Sequence, residues 1–372
     1  MTLVFALHEL TRTGSPLVML NFMYWLKENT NHTLMVVGMK SGELEKEFQS
    51  VADLLLIPKS QGKKGRILSK VEKLFFHKSF SEVVLKSLED IHVDLIYANS
   101  VPTFLLATQI KQIKKVPLIC HIHEANIMLK LLDQRWRAQS DLVDHFVAPS
   151  SLVIDDLKAY LDTSKINVSL VRETPAKDIK VEKYESQEFI IGGSGTVHWR
   201  KGPELFVQVA INFFRENPMS VAKFQWLGHI DKKFRTIYEA DISKAGLAGK
   251  VEFMGAVSDP IESYRNFSVF LLTSREDPYP LVCVENALLK VPIITFDKAT
   301  GINESIVDGG GVIVPYLDTQ RMAEAVANCY NNRSLIKTMG EQARIQFQTS
   351  KSDVVFPKLL NIIESTLSDP IL

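Results

Sequence analysis

The densest run of chemistry-bearing residues is SREDPYPLVCVENALLK, Ser274–Lys290. It follows SVFLLTS, which reads as a buried strand, so its loop falls at a strand's carboxyl end. Pro280 is suited to open a helix through Leu281, Val282, Glu285 and Leu288. The first amides of a helix have no intrahelical partner and collect anions. Pro278 and Pro280 lack an N–H, which leaves Tyr279, Leu281 and Val282 as donors. Glu285, about one turn further in, is placed for its carboxylate to accept hydrogen bonds from sugar hydroxyls. An ordinary capped helix with surface acids fits the same residues, and the segment alone leaves both readings open.

A second segment, GGSGTVHWRKG (Gly192–Gly202), lies between a strand and a helix starting near Pro203. Small residues let backbone approach a phosphate, and Arg200 and Lys201 supply cations to meet it. It fails as a dinucleotide fingerprint: Gly193 and Gly195 fit G-x-G, but His198 stands where the third glycine belongs. Taken alone, it reads as a tight turn with exposed basic residues.

In PLICHIHEAN (Pro117–Asn126), His121 and His123 alternate with apolar residues on one strand face, and His123 and Glu124 fall at its carboxyl end. The histidine spacing would suit a metal, but no third ligand stands nearby in sequence. HELTRTGSP (His8–Pro16) links the first strand to the first helix, and Gly14 permits a close approach that a side chain would block.

These segments need a scaffold of strands and helices. LVFAL, TLMVVGM, DLLLIP, DLIYANS, PLICHIH and DHFVAPS read as strands, with helices at Leu17–Lys27, Ile67–Leu88, LLATQIKQI and from Leu152. RETPAKDIKVEKYESQ (Arg172–Gln187) breaks the pattern and reads as an interdomain linker or surface loop. A second series then follows: FIIGGSG, KFQWLGHI, VEFMGAV, SVFLLTS, VPIITF and GVIVPY. Buried strands alternating with helices imply parallel sheets covered on both faces. The expectation is therefore α/β with two Rossmann-like doubly wound domains facing a cleft, residues 1–175 and 176–355. A last amphipathic helix, within 356–372, either finishes the second domain or returns to the first.

Composition excludes several classes. The chain has 372 residues, 46% apolar and 23% charged, which is a globular mixture. Lys+Arg and Asp+Glu are both 43, so the basic excess of a duplex nucleic-acid binder is missing. Cys120, Cys283 and Cys329 are far apart in apolar contexts and form neither a disulfide framework nor a zinc pattern. With no signal-peptide pattern at MTLVFALHEL and no long apolar span, the expectation is a soluble cytoplasmic protein.

Ser274–Lys290 resembles the E-x7-E region of retaining GT-B glycosyltransferases, specifically glycosyltransferase family 4 (glycosyl transferases group 1). Matching Glu285 to the second acid puts Asp277 at the first, with Glu276 as its rival, and Ser274 matches a serine common in the family. The resemblance extends to YANS, APSSLV, FMGAV and DGGGVIVP, and to the pair Gly301 and Glu304. It implies that Lys201 meets the donor diphosphate, that the first acid and His123 contact the transferred sugar, and that Glu285 binds the ribose. Its further implied donor contacts are Gly14, Ser15, Gly195, Thr196, Arg200, Gly255, Glu276, Tyr279, Leu281 and Val282. Gly195 replaces an arginine frequent in the family, which leaves Arg200 or Arg275 to supply that charge.

The implied activity is sugar transfer with retention from a UDP- or GDP-type nucleotide sugar to a glycan or lipid-linked acceptor, in cell-surface polysaccharide synthesis. A D-x-D motif is missing, so no metal or other cofactor is expected, and Lys, Arg and helix amides would neutralise the leaving group. Lys59–Lys78 holds seven Lys/Arg and one Glu among aliphatic and aromatic residues, either a solvated helix face or a peripheral contact with anionic lipid. Alternative readings are a nucleotide-sugar epimerase or phosphorylase-like enzyme on the same fold, or a weakly catalytic nucleotide-binding protein.

Overall fold

The computed structural model describes residues 1–58, 79–162, 166–175, 179 and 188–368. The basic run Lys59–Lys78 and most of Arg172–Gln187 lie outside the described residues. The chain divides into two compact units. The first comprises Met1–Pro149, Val153–Val171 and Phe356–Leu372; the second comprises Ser150–Leu152 and Arg172–Val355.

The first unit is built on strands β1 (Thr2–Leu7), β2 (Thr33–Gly38), β3 (Leu54–Leu56), β4 (Leu95–Asn99), β5 (Leu118–His121), β6 (His145–Ala148) and β7 (Val168–Leu170). Their order is β3-β2-β1-β4-β5-β6-β7, with every pairing parallel. The central strands are covered on both faces, and Leu3 through Leu7 are all 0% exposed, which explains their unbroken apolar sequence. β7 was not expected from the sequence. It is a three-residue edge strand ending in the exposed Leu170, so it carries little of the apolar signal that marks the central strands.

The second unit repeats the plan with β8 (Ile190–Ser194), β9 (Lys223–Leu227), β10 (Val251–Gly255), β11 (Val269–Leu272), β12 (Ile293–Phe296) and β13 (Gly311–Val314). The order is β10-β9-β8-β11-β12-β13, again all parallel. Both sheets reverse direction of winding at a central pair, β1/β4 in one and β8/β11 in the other. Ligands of doubly wound sheets bind beyond the carboxyl ends of such pairs. His8–Ser15, Asn99–Ser100, Gly195–Gly202 and Thr273–Pro280 all emerge there.

Two local expectations change. The first helix starts at Gly14 instead of Leu17, with Thr13 as its N-cap, so Pro16 lies inside its first turn. The described part of the supposed linker is not a surface loop: Glu173 and Thr174 are 5% and 1% exposed. The preceding Arg172 is anchored too: its guanidinium pairs with Glu304 at 2.8 Å and lies 5.2 Å from the Tyr279 ring centre. The three cysteines are free and buried. Among the described residues, no helix is long and apolar enough to cross a membrane.

The last helix runs Ser352–Ser368, and from Phe356 onward the chain groups with the first unit. The buried Phe356 ring packs against Phe22 and Trp25 on the Gly14–Asn29 helix, with ring centres 5.5 and 6.1 Å away. Truncating a buried phenylalanine costs about 3–5 kcal/mol. Phe356→Ala should therefore lower the urea midpoint of the first unit's unfolding, followed by Trp25 fluorescence; an unchanged midpoint would mean that the helix does not stabilise this unit.

Candidate functional site

The second unit concentrates charge where β8 and β11 end. After β8 the chain turns through Gly195, at φ +142°, into a single 3-10 turn, Trp199–Lys201, closed by Gly202 at φ +65°. Gly202 is required twice over. Its backbone is left-handed, and a Cβ there would lie 2.2 Å from the Thr273 carbonyl oxygen. Lys201 O accepts from the Thr273 hydroxyl at 3.1 Å, and Arg200 O accepts from the Arg275 amide at 2.8 Å. The two loops are thus laced together through their backbones.

That lacing brings Lys201 and Arg200 onto Asp277, 76 and 77 residues away in sequence. Lys201 Nζ lies 2.5 Å from one carboxylate oxygen, Arg200 lies 3.2 Å from the other, and the Ser274 hydroxyl donates at 3.2 Å. Arg200 also donates to the Glu276 carbonyl at 2.8 Å. Asp277 is 5% exposed. Burial alone would push its carboxyl up, but the charges and hydrogen bonds of Lys201 and Arg200 hold it below the usual carboxylate range. Arg275 is occupied elsewhere, donating to Glu204 at 2.5 Å and to the Trp199 carbonyl at 2.9 Å. Arg200 is therefore the second cation at this anion. At Gly195 the aliphatic stem of Lys201 would lie 3.4 Å from an added Cβ, so lysine packs over the position where a long side chain was missed in the sequence.

The Leu281–Leu288 helix begins at Pro280 without a side-chain cap. Its Leu281 and Val282 are half-buried, and Tyr279 is buried with its hydroxyl 3.0 Å from Ser305 and 3.2 Å from Ser350. On this helix the buried Cys283 thiol is pushed up by burial, and Asp277, Lys201 and Glu285 all lie close enough to act on it. Burial pushes the Glu285 carboxyl up to about 8, with a further push from Asp259, although the residue as a whole is only half-buried. Thr196 is exposed on the β8 loop. Gly255 ends β10 at φ +82°, its carbonyl accepting from Gly228 at 2.9 Å.

In the first unit, β4 and β5 place Asn99 opposite His121, and His123 follows just beyond β5. The His121 and His123 rings share a face, with centres 4.2 Å apart. His121 Nδ1 is 2.9 Å from the Tyr97 hydroxyl, and burial, with the charge of His123 adding, holds His121 well below 6.5 and so neutral. Glu124 secures the chain: its carboxylate accepts from the amides of His123 and Val101 at 3.1 and 3.2 Å and from the Ser100 hydroxyl. Asn99 joins His123 to the Gly14–Ser15 loop, where Gly14 is exposed and Ser15 half-buried. Asn99 is a site residue that the motifs do not single out, although a polar residue at the end of the buried apolar strand in YANS is a usable signal.

The Glu285 geometry makes a prediction about stability. A carboxyl whose folded pKa lies above its unfolded one binds its proton more tightly in the fold. Stability therefore falls as pH rises from about 4.5 through about 8. Melting temperature should decline less for Glu285→Gln than for wild type across that window; parallel curves would show that the carboxyl is not held in a low-dielectric site.

Residues 188–332 match the family described as Glycosyl transferases group 1. The chain is 27% identical over 192 residues to the capsular polysaccharide biosynthesis glycosyltransferase CapM of Staphylococcus aureus, covering 51% of this chain and 50% of CapM. It is 27% identical over 158 residues to the lipopolysaccharide core biosynthesis mannosyltransferase LpcC of Rhizobium leguminosarum bv. viciae, covering 41% of this chain and 44% of LpcC. These matches span about half the length of each relative or less. The crystal structure of Anabaena HepE in complex with UDP and glucose superposes with a TM-score of 0.80 at 16% identity, covering 98% of this chain and 100% of HepE. With that likeness and the two parallel sheets, the chain has the GT-B fold, and its residues 188–332 are similar to the glycosyl transferases group 1 family.

Proposed function

We propose that the protein is a retaining glycosyltransferase that moves a sugar from a UDP- or GDP-type nucleotide sugar to a glycan or lipid-linked acceptor, in cell-surface polysaccharide synthesis. The observation that carries this reading is the convergence of Lys201 and Arg200 beyond β8 and β11, inside the segment that matches the family. Cleavage at the anomeric carbon develops negative charge on the leaving diphosphate. Lys201, Arg200 and the Leu281 and Val282 amides stabilise that charge as preorganised groups. His123 and Asp277 position the sugar as it becomes oxocarbenium-like, and Glu285 meets the ribose. The acceptor attacks from the face the diphosphate leaves, and the departing phosphate takes its proton.

The chain works in the cytoplasm in this reading, and Lys59–Lys78 rests on an anionic membrane that presents a lipid-linked acceptor. No metal takes part, because the sequence has no D-x-D and Lys and Arg side chains supply the positive charge. Donor turnover should persist in EDTA; its loss, with recovery on adding Mg²⁺ or Mn²⁺, would remove this account. The occupation of Lys201 by Asp277 also favours a second reading, a nucleotide-binding protein with little turnover, which binding without turnover would select.

Lys201 gives the sharper test. Removing one partner of a buried pair costs up to about 3–5 kcal/mol, so Lys201→Ala should lose stability as well as function. Uridine affinity controls for the fold. Turnover should fall about 10²–10³-fold. UDP should lose about tenfold or more in affinity, the cost of one charged hydrogen bond, while uridine barely changes. If UDP loses no more than uridine, the diphosphate does not meet Lys201.

A further inference from the structure

Asn99, 1% exposed at the end of β4, stands between two groups whose hydrogen-bonding roles settle its orientation. One end of its amide faces the Ser15 carbonyl oxygen at 3.2 Å and the Ser15 hydroxyl at 3.3 Å. The other end faces His123 Nε2 at 2.7 Å. A peptide carbonyl oxygen only accepts, so the group facing it is the amide NH₂. The opposite end of Asn99 is then its carbonyl oxygen, which also only accepts. His123 Nε2 must therefore be the donor. The order of roles follows from the Ser15 backbone, without any hydrogen being seen.

We propose that Asn99 is a positioning residue that fixes His123 in the form protonated on Nε2, with the Ser15 carbonyl holding Asn99 in turn. In the neutral ring Nδ1 is then the nitrogen that carries no proton. The His121 ring also packs against it at a tilt of 34°, the ring centres 4.2 Å apart. The backbone of His123 is secured separately, through the Glu124 carboxylate. Changing Asn99 therefore alters the proton position and ring orientation and leaves the path of the chain in place. The inference gives the start of the first helix a task beyond opening a loop: the Ser15 carbonyl transmits its position to a histidine more than a hundred residues away in sequence. It rests on the reading of His123 as a sugar contact only for its kinetic consequence.

The test uses the full chain with ¹⁵N-labelled histidine. Long-range ¹H–¹⁵N correlation spectra at alkaline pH report which nitrogen carries the proton, and His123→Gln assigns the signal. Wild type should show His123 protonated on Nε2. Asn99→Leu removes the acceptor and should give a mixture of forms or protonation on Nδ1. Asn99→Asp keeps an oxygen facing Nε2 and should keep the Nε2 proton. A wild-type ring protonated on Nδ1 overturns the proposal whatever the variants do, and so does an Nε2 proton unmoved in Asn99→Leu. If that variant does not fold, Asn99→Ala is read by the same criterion. In turnover, kcat of Asn99→Leu should fall by up to about a hundredfold, the cost of a misplaced group at a reacting centre. UDP affinity should hold, and Asn99→Asp should recover part of the rate. A shifted proton with unchanged kcat would leave the tautomer assignment standing and remove His123 from the sugar.

Discussion

The second unit is organised around one buried ion cluster, Asp277 held between Lys201 and Arg200. A lone carboxylate at 5% exposure would be driven to its neutral form, since desolvation penalises charge heavily. Two cations and the Ser274 hydroxyl reverse that, and the carboxyl stays ionised. The arrangement needs both loops in register. That requirement explains why Gly202 presses against the Thr273 carbonyl and why the Arg200 and Lys201 carbonyls are tied to the β11 loop. An anion-binding site built this way has its cations preplaced. The Asp277 carboxylate occupies both of them, so under the proposed function the donor diphosphate competes with Asp277 for Lys201.

The first unit meets a related constraint with hydrogen-bonded polar groups. Tyr97 on β4 and Asn99, His121 and His123 at or just beyond the ends of β4 and β5 lie where a buried polar group without a partner would be costly. A chain of directed hydrogen bonds satisfies the Asn99 side chain and, with tilted ring contact, orients both imidazoles. Glu124 adds an anion that caps the neighbouring backbone. Ser100, at φ 93°, shows how tightly that turn is drawn, since a non-glycine residue rarely adopts this conformation. The two units thus share a topology while placing different chemistry at the winding reversal: an ion cluster in one, a hydrogen-bonded set of amide and imidazole groups in the other.

What the sequence by itself determined was local and periodic. Unbroken apolar runs such as Leu3–Leu7 and Val269–Leu272 disclosed central parallel strands, because strands covered on both faces bury every side chain. Turn chemistry marked the Gly192–Gly202 and Ser274–Lys290 loops, and the order of strands and helices disclosed two doubly wound sheets. The edge strand Val168–Leu170 escaped because half-exposed residues lack that signature. Tertiary structure alone decided which side chains meet. The crossovers set β8 beside β11 and β4 beside β5, and only that adjacency joins Lys201 to Asp277 and Asn99 to His123. Burial decided the rest: the composition of the Leu281–Leu288 helix gives no hint that Glu285 is pushed up to about 8, because desolvation depends on what the fold packs around a carboxyl and not on its neighbours in sequence.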